Sequence, residues 1–159
     1  MPNRWTFTIK PIKELLVEEM GEGYWIDPFA GKTSPATIRN DLNPDMPAEY
    51  HETAHHFLAK YQPETVDGVL FDPPYSPAKV KQCYEGIGTP LTGGETSMKF
   101  WSTAKDEIAR VVKPGGKVIS CGWNSNGIGK CRDFELVRVL IVPHGGAKND
   151  TIVTVEVKK

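Results

Sequence analysis

The apolar run Val69-Leu70-Phe71 leads directly into Asp72-Pro73-Pro74-Tyr75. Together these residue types suit methyl transfer to a planar exocyclic amine. Such an amine shares its lone pair with the ring and is a poor nucleophile. It improves when acceptors hold both of its hydrogens and draw the nitrogen toward a tetrahedral shape. Asp72 offers a carboxylate oxygen for one hydrogen. Pro73 offers its carbonyl for the other, from a backbone whose φ is locked at about −65°. Pro74 pushes Pro73 out of the α region, which fixes the direction of that carbonyl. Tyr75 brings a ring that can stack on a base face, a contact worth roughly 1–3 kcal/mol per base. The plainer alternative is a strand ending in a proline turn, with Tyr75 covering the sheet edge, and the surrounding sequence must decide between them.

Two upstream stretches supply that context. Tyr24-Trp25-Ile26-Asp27 reads as a strand ending in an acid, followed at once by Pro28-Phe29-Ala30-Gly31. Ile38-Arg39-Asn40-Asp41-Leu42-Asn43-Pro44 is a further strand-like stretch containing an acid. Parallel strands that present acids at their carboxyl ends form a nucleotide crevice in doubly wound sheets. In such a crevice Asp27 to Gly31 is the close-approach loop, where glycine lets the backbone near a ligand. Asp41 can accept hydrogen bonds from two ribose hydroxyls, and Asp72 stands at the next crevice position.

These residues resemble S-adenosylmethionine-dependent amino methyltransferases, and within them the adenine-specific DNA methyltransferases. Asp27-Pro28-Phe29-Ala30-Gly31 is similar to the first cofactor motif of that family, and Asn40-Asp41-Leu42-Asn43-Pro44 to the second. Asp72-Pro73-Pro74-Tyr75 is similar to its catalytic motif. Lys113-Pro114-Gly115-Gly116-Lys117-Val118-Ile119 resembles the turn and strand that follow. The resemblance spans nearly the whole chain, in the order cofactor site first, catalytic site second. It implies S-adenosyl-L-methionine held by Asp27, Pro28, Phe29, Ala30, Gly31, Asp41 and Leu42, with Asp72 at the junction, and catalysis through Asp72, Pro73, Pro74 and Tyr75. It also places residues 8–11 where the cofactor carboxylate is touched. The implied fold is a Rossmann-like α/β domain over residues 1–159. Its mostly parallel, seven-stranded sheet ends in an antiparallel hairpin, with helices on both faces and no separate target-recognition domain.

The chain departs from the family pattern in several places. Thr33 stands where a second glycine is usual. Only residues 32–37, with Pro35 among them, separate the loop from the next strand. A parallel crossover normally needs a dozen or more residues, so the first crossover helix is expected to be reduced to a loop. The third acid usual after the next strand is missing, because Thr53 and Ala54 follow the strand-like residues 49–52. Phe57 is open to two readings, an apolar wall for the cofactor or a core residue.

Composition fits a compact enzyme: 39% hydrophobic and 25% charged residues over 159 positions. No apolar run approaches the roughly 20 residues of a membrane span, and the N-terminus lacks the apolar core of a signal peptide. Cys83, Cys121 and Cys131 form no close-spaced pair, so neither a disulfide framework nor a metal site is expected, and an intracellular, cytoplasmic setting follows. Net charge is −1, yet its distribution is uneven. Residues 1–75 hold six Lys/Arg against twelve Asp/Glu, whereas residues 76–132 hold nine against four. Lys79, Lys81, Lys99, Lys105, Lys130 and Arg132 are therefore candidates for a phosphate backbone. A merely basic surface is the competing reading.

The remaining elements follow from pattern. Residues 8–20 carry Ile12, Leu15 and Leu16 at helical spacing after Pro11. A helix is expected to end near Tyr61, a buried strand to cover residues 66–72, and a short helix residues 78–84. Residues 86–94 read as a mobile loop over the site. Residues 96–112 form an amphipathic helix stopped by Pro114 and Gly115. Residues 134–142 and 151–157 read as the hairpin. Phe100 and Trp101 read as core. Residues 123–127 wall a base pocket or form a capped turn. His55 and His56 point about 100° apart on a helix and make a poor metal pair.

The expected function is methyl transfer to the 6-amino group of adenine in DNA, with the base extruded from the duplex. RNA bases remain an alternative acceptor, as does cytosine, although the family more often has Ser at position 72 for that base. A glutamine-methylating relative usually has Asn there. A cofactor-binding subunit that needs a partner also fits. Only residues 76–95 and 124–132 are free to read sequence, so short specificity, a homodimer or a recognition partner is expected. The small size is compatible with a phage or mobile-element origin.

Overall fold

A computed structural model describes residues 5–88, 90 and 98–159. A short 3-10 turn, Thr6–Thr8, leads into helix α1, Lys10–Met20, which starts on Pro11 and buries Ile12, Leu15 and Leu16. Strand β1, Trp25–Asp27, is wholly buried, and β2, Ile38–Arg39, lies parallel beside it. Helix α2, Ala54–Ala59, is capped by Thr53 Oγ1, which accepts from the His56 N–H at 3.3 Å. Strand β3 covers Val66–Phe71, and α3 covers Pro77–Gly86 behind the Ser76 cap. Helix α4, Met98–Val111, runs into β4, Val112–Gly122. A second 3-10 turn, Lys130–Arg132, precedes β5, Phe134–Val142, and β6, Thr151–Lys158.

The sheet order is β2-β1-β3-β4-β6-β5, parallel through β4 and antiparallel over the last two pairings. Among the described residues it has six strands, where seven were expected. The strand-like residues 49–52 form only an isolated parallel bridge, Asn40 to Tyr50. Pro44 and Pro47 remove ladder donors on one side, and the Thr53 cap starts a helix on the other. The first crossover, residues 28–37, contains no helix, in line with its shortness. The connection from β4 to β5 is also short and contains only the 3-10 turn.

The strands alternate between two apolar layers, as period-2 geometry requires. Val69, Phe71 and Val118 face a layer with α2 and α4, including Phe57 and Ile108. Leu70, Ile119, Cys121 and Val153 face the other, with Ile12, Leu15 and Leu16 of α1. Arg110 ties α4 to the end of α2, donating to the Tyr61 carbonyl at 2.7 Å and the Leu58 carbonyl at 3.1 Å. Gly68 sits in register with Trp25, and a Cβ there would lie 2.5 Å from the indole ring. That close approach lets the Trp25 side chain lie flat on β3. The Pro114-Gly115-Gly116 turn is absorbed into β4, where the register with β3 shifts between Val66 and Gly68. The expected loop at residues 86–94 lies largely outside the described residues.

Candidate active site

The carboxyl ends of β1, β2 and β3 bring Asp27, Asp41 and Asp72 to one edge of the sheet. They do not play equal parts. Asp27 is fully buried, its Oδ1 accepting from the Phe29 N–H at 2.9 Å and its Oδ2 from the Ser34 hydroxyl at 2.5 Å. Burial raises its carboxyl to about 7, against the pull of the Ser34 hydroxyl and the Phe29 amide. It braces the 28–34 loop from beneath.

Asp41 holds the same loop from the other side. Its Oδ2 accepts from the Gly31 N–H at 2.8 Å and its Oδ1 from the Asn43 N–H at 2.9 Å. Gly31 has φ of 58°, a left-handed conformation, and a Cβ there would meet nothing within 4 Å. The open side of Gly31 faces a cavity lined by Pro28, Phe29, Asp41, Leu42, Asp72 and Glu52, with Pro74, Cys83, Tyr84 and Phe100 closing it. Asp27 and Ala30, expected to touch cofactor, lie behind this wall, both buried. Thr8 is likewise elsewhere, donating to the Trp5 carbonyl at 2.7 Å.

Two residues that the sequence reading passed over shape this cavity. Buried Asn40 donates through Nδ2 to the Pro28 and Glu52 carbonyls, and its Oδ1 accepts from the Glu52 N–H at 3.0 Å. That clamp presents Glu52 to the cavity. One Glu52 oxygen pairs with Lys60 at 3.0 Å, and the other is buried without a protein partner. An acid thus stands just before Thr53, where none was expected, held there by the buried amide of Asn40. Phe57, by contrast, is core, fully buried against Tyr50 and Tyr61.

A second cavity of about 250 Å³ lies on the other side of the Asp72 segment. Phe71, Pro73, Tyr75, Trp101 and Trp123 give it apolar walls, and Lys105, Ser120, Asn124 and Asn126 give it polar points. The two chambers meet at Asp72-Pro73-Pro74-Tyr75: Asp72 and Pro74 line the first, Pro73 and Tyr75 the second. Asp72 is only 7% exposed, and burial raises its carboxyl above the usual range, opposed by the Tyr75 and Thr6 hydroxyls. The Tyr75 hydroxyl donates to Asp72 Oδ1 at 2.5 Å, and the Tyr75 ring meets Trp123 edge-on at 5.4 Å. Trp101 donates from Nε1 to the Pro74 carbonyl at 3.0 Å, so α4 pins the proline turn. Phe100 and Trp101, read as core from the sequence, serve one chamber each. Residues 123–127 do wall the second chamber, through Trp123, Asn124, Asn126 and Gly127.

The basic candidates divide. Lys99 and Lys130 are exposed. Lys79 reaches Gln82, and Lys81 pairs with Glu85 at 3.6 Å on α3. Arg132 is committed to Asp106 at 2.6 Å and to the Ile128 carbonyl, so it anchors the β4–β5 connection to α4. Lys105 lines the second chamber, and burial lowers its ammonium below the ordinary lysine range. Among the described residues no cluster of three or more His, Cys, Asp or Glu is placed to hold a metal ion. No described helix is long and apolar enough to cross a membrane.

No protein-family model and no curated protein matches the chain. Solved structures do. One is the 1,6-didemethyltoxoflavin-N1-methyltransferase of Burkholderia thailandensis, with 1,6-didemethyltoxoflavin and S-adenosylhomocysteine bound. It matches at a TM-score of 0.62 and 13% identity, over 94% of this chain and 77% of that one. The N-methyltransferase NodS of Bradyrhizobium japonicum WM9 matches at 0.60 and 11% identity, over 97% of this chain and 98% of that one. The chain has the fold of S-adenosylmethionine-dependent methyltransferases. TrmN of Thermus thermophilus shares it at a TM-score of 0.56 and 18% identity, over 92% of this chain and 48% of that one. The strand order reverses between β1 and β3, and in open α/β sheets the crevice outside the carboxyl ends at such a point is where ligands generally bind.

Proposed function

We propose that the chain transfers a methyl group from S-adenosylmethionine to the 6-amino group of adenine in DNA. The observation that carries the reading is the pair of chambers meeting at Asp72-Pro73-Pro74-Tyr75. One chamber has the donors and acceptors of a nucleoside site: the Gly31 loop, Asp41 for ribose hydroxyls, and the unpartnered Glu52 oxygen for an adenine amine. When bound, the cofactor supplies an electrophilic methyl group. The other chamber has the aromatic walls of a base site. Two of the structural neighbours are N-methyltransferases by name, which supports nitrogen as the acceptor atom.

The chain's own residues then have distinct tasks. Asp72 and the Pro73 carbonyl hold the two amine hydrogens, Tyr75 and Trp123 flank the ring, and Trp101 keeps the proline turn in place. The amine becomes cationic on gaining the methyl group and releases a proton, for which Asp72 with its raised affinity is the nearest acceptor. Positioning and polarisation account for most of the rate. Lys79, Lys81, Lys99 and Lys130 are the proposed contacts to the phosphate backbone, with Arg132 in a supporting place. Exposed Leu136, Val137, Val139 and Ile141 on the edge strand β5 support association with a second copy or a recognition partner.

The test is transfer of labelled methyl from S-adenosylmethionine to duplex DNA, single-stranded DNA and total RNA, followed by digestion to nucleosides. Label in 6-methyladenine from DNA is the expected result. Label in RNA alone would replace the acceptor, and no label with intact cofactor binding would indicate a partner-dependent subunit.

A further inference from the structure

The floor of the second chamber holds a polar group that the packing leaves unused. Ser120 lies on β4, in parallel register with Phe71 and antiparallel register with Thr154. It is 7% exposed, lines the chamber, and its hydroxyl has no protein partner. The Thr154 hydroxyl directly across the strand pair is also buried and unpartnered, so neither satisfies the other. An unsatisfied buried hydroxyl costs about 1–3 kcal/mol. Here it is left unsatisfied in a residue that lines the chamber.

We propose that the Ser120 hydroxyl donates to a ring nitrogen on one of the two edges that flank the acceptor's amine, making Ser120 a specificity-determining residue. The proposal rests on the reading of this chamber as the acceptor site. The walls Phe71, Tyr75, Trp101 and Trp123 are suited to the faces of a planar ring, which leaves the polar edge to meet the floor. Asp72 follows Phe71, the β3 partner of Ser120, so the turn proposed to hold the amine begins one residue beyond the Ser120 pairing, and its Pro73 shares the chamber with Ser120. Adenine offers N1 on one side of its amine and N7 on the other. An open-chain carboxamide such as glutamine offers no ring nitrogen there. The acceptor class is therefore an amino-substituted nitrogen heterocycle, chosen by its ring nitrogen as well as by its amine. Lys105 lines the same chamber and is the competing donor.

The test compares the wild type, S120A and K105M on duplex DNA containing adenine, 1-deazaadenine or 7-deazaadenine, with S-adenosylmethionine affinity and thermal unfolding measured for each protein. The wild type should lose about ten-fold in kcat/KM on one of the two analogues, the size expected of one hydrogen bond. S120A should lose about as much on ordinary adenine and suffer no further loss on that analogue. Its cofactor affinity should be unchanged and its unfolding temperature equal or higher, because an orphan hydroxyl has been removed. K105M should keep the analogue penalty. The assignment is overturned if the wild type treats all three bases alike, if the S120A and analogue losses multiply, or if K105M rather than S120A abolishes the penalty. Absence of any transfer by the wild type to adenine DNA would overturn the functional reading and this assignment with it.

Discussion

The Tyr75 hydroxyl and the Asp72 carboxylate are joined by a 2.5 Å hydrogen bond. The acceptor that the proposed chemistry needs for an amine hydrogen is thus already engaged, by the ring proposed to stack on the base. On the proposed reading, a base amine reaching Asp72 Oδ1 competes with the Tyr75 hydroxyl, while the Tyr75 ring stays as a wall.

This relationship separates two substitutions at one position. Y75F keeps the ring and removes the competing hydroxyl, so kcat should be retained and KM for DNA should hold or fall. Y75A removes the stacking surface, and a loss of roughly 1–3 kcal/mol, about 5- to 150-fold in kcat/KM, is expected. Steady-state kinetics on both variants checks this, and a larger loss in Y75F than in Y75A would refute it.

Residues of the two chambers should fail in different ways. D72A should lower transfer by about 10²- to 10⁴-fold, the usual range for a residue handling protons at the reacting atom, with cofactor affinity nearly intact. D41A and E52A should instead weaken S-adenosylmethionine binding, D41A more strongly because Asp41 also holds the Gly31 amide. Calorimetric titration beside single-turnover transfer distinguishes them, and full activity in D72A would remove Asp72 from the mechanism.

Asp27 makes a prediction about stability and pH. Its carboxyl titrates at about 7 in the fold, against about 3.9 in an unfolded chain. Below about pH 4 both states hold the proton and Asp27 favours neither. As pH rises from there toward 7 the unfolded chain releases its proton while the folded protein keeps it, so stability falls with rising pH. Asp72 shifts in the same direction. D27N carries no charge in either state and is close to isosteric, so its loss of stability between about pH 5 and 7 should be the smaller of the two. Urea unfolding of both proteins at the two pH values measures the difference, and parallel curves would contradict the assignment.

Gly68 tests the packing that carries β3 to the site. G68A would drive a methyl group to 2.5 Å from the Trp25 ring. Overpacking of this kind costs typically about 1–3 kcal/mol, and Trp25, braced by its Nε1–H bond to the Met20 carbonyl, has little room to yield. A lowered unfolding temperature with a shifted indole fluorescence is expected.

How much of this was legible beforehand depended on whether a residue's task is local. The β3 strand and Asp72-Pro73-Pro74-Tyr75 could be read because an apolar run and a proline pair act on their own backbone. So could the α1 helix, from Ile12, Leu15 and Leu16, and the hairpin of β5 and β6. Glu52 could not, because it is held at the first chamber by Asn40, twelve residues away. Phe100 and Trp101 occupy helical positions that look like core, and only the meeting of α4 with the proline turn shows what they face. Asp27 was correctly placed at a strand end, yet nothing local reveals that its oxygens turn inward to Phe29 and Ser34. The seventh strand failed for a related reason: the strand-like residues 49–52 read the same whether they join a ladder or make a single bridge.

Helix α4 contributes Phe100 to one chamber and Trp101 to the other, on consecutive residues of one rigid element. A displacement of that helix cannot widen one space without reshaping its neighbour. On the proposed reading, filling the first chamber therefore alters the shape of the second, and the affinity of each ligand should depend on whether the other is present.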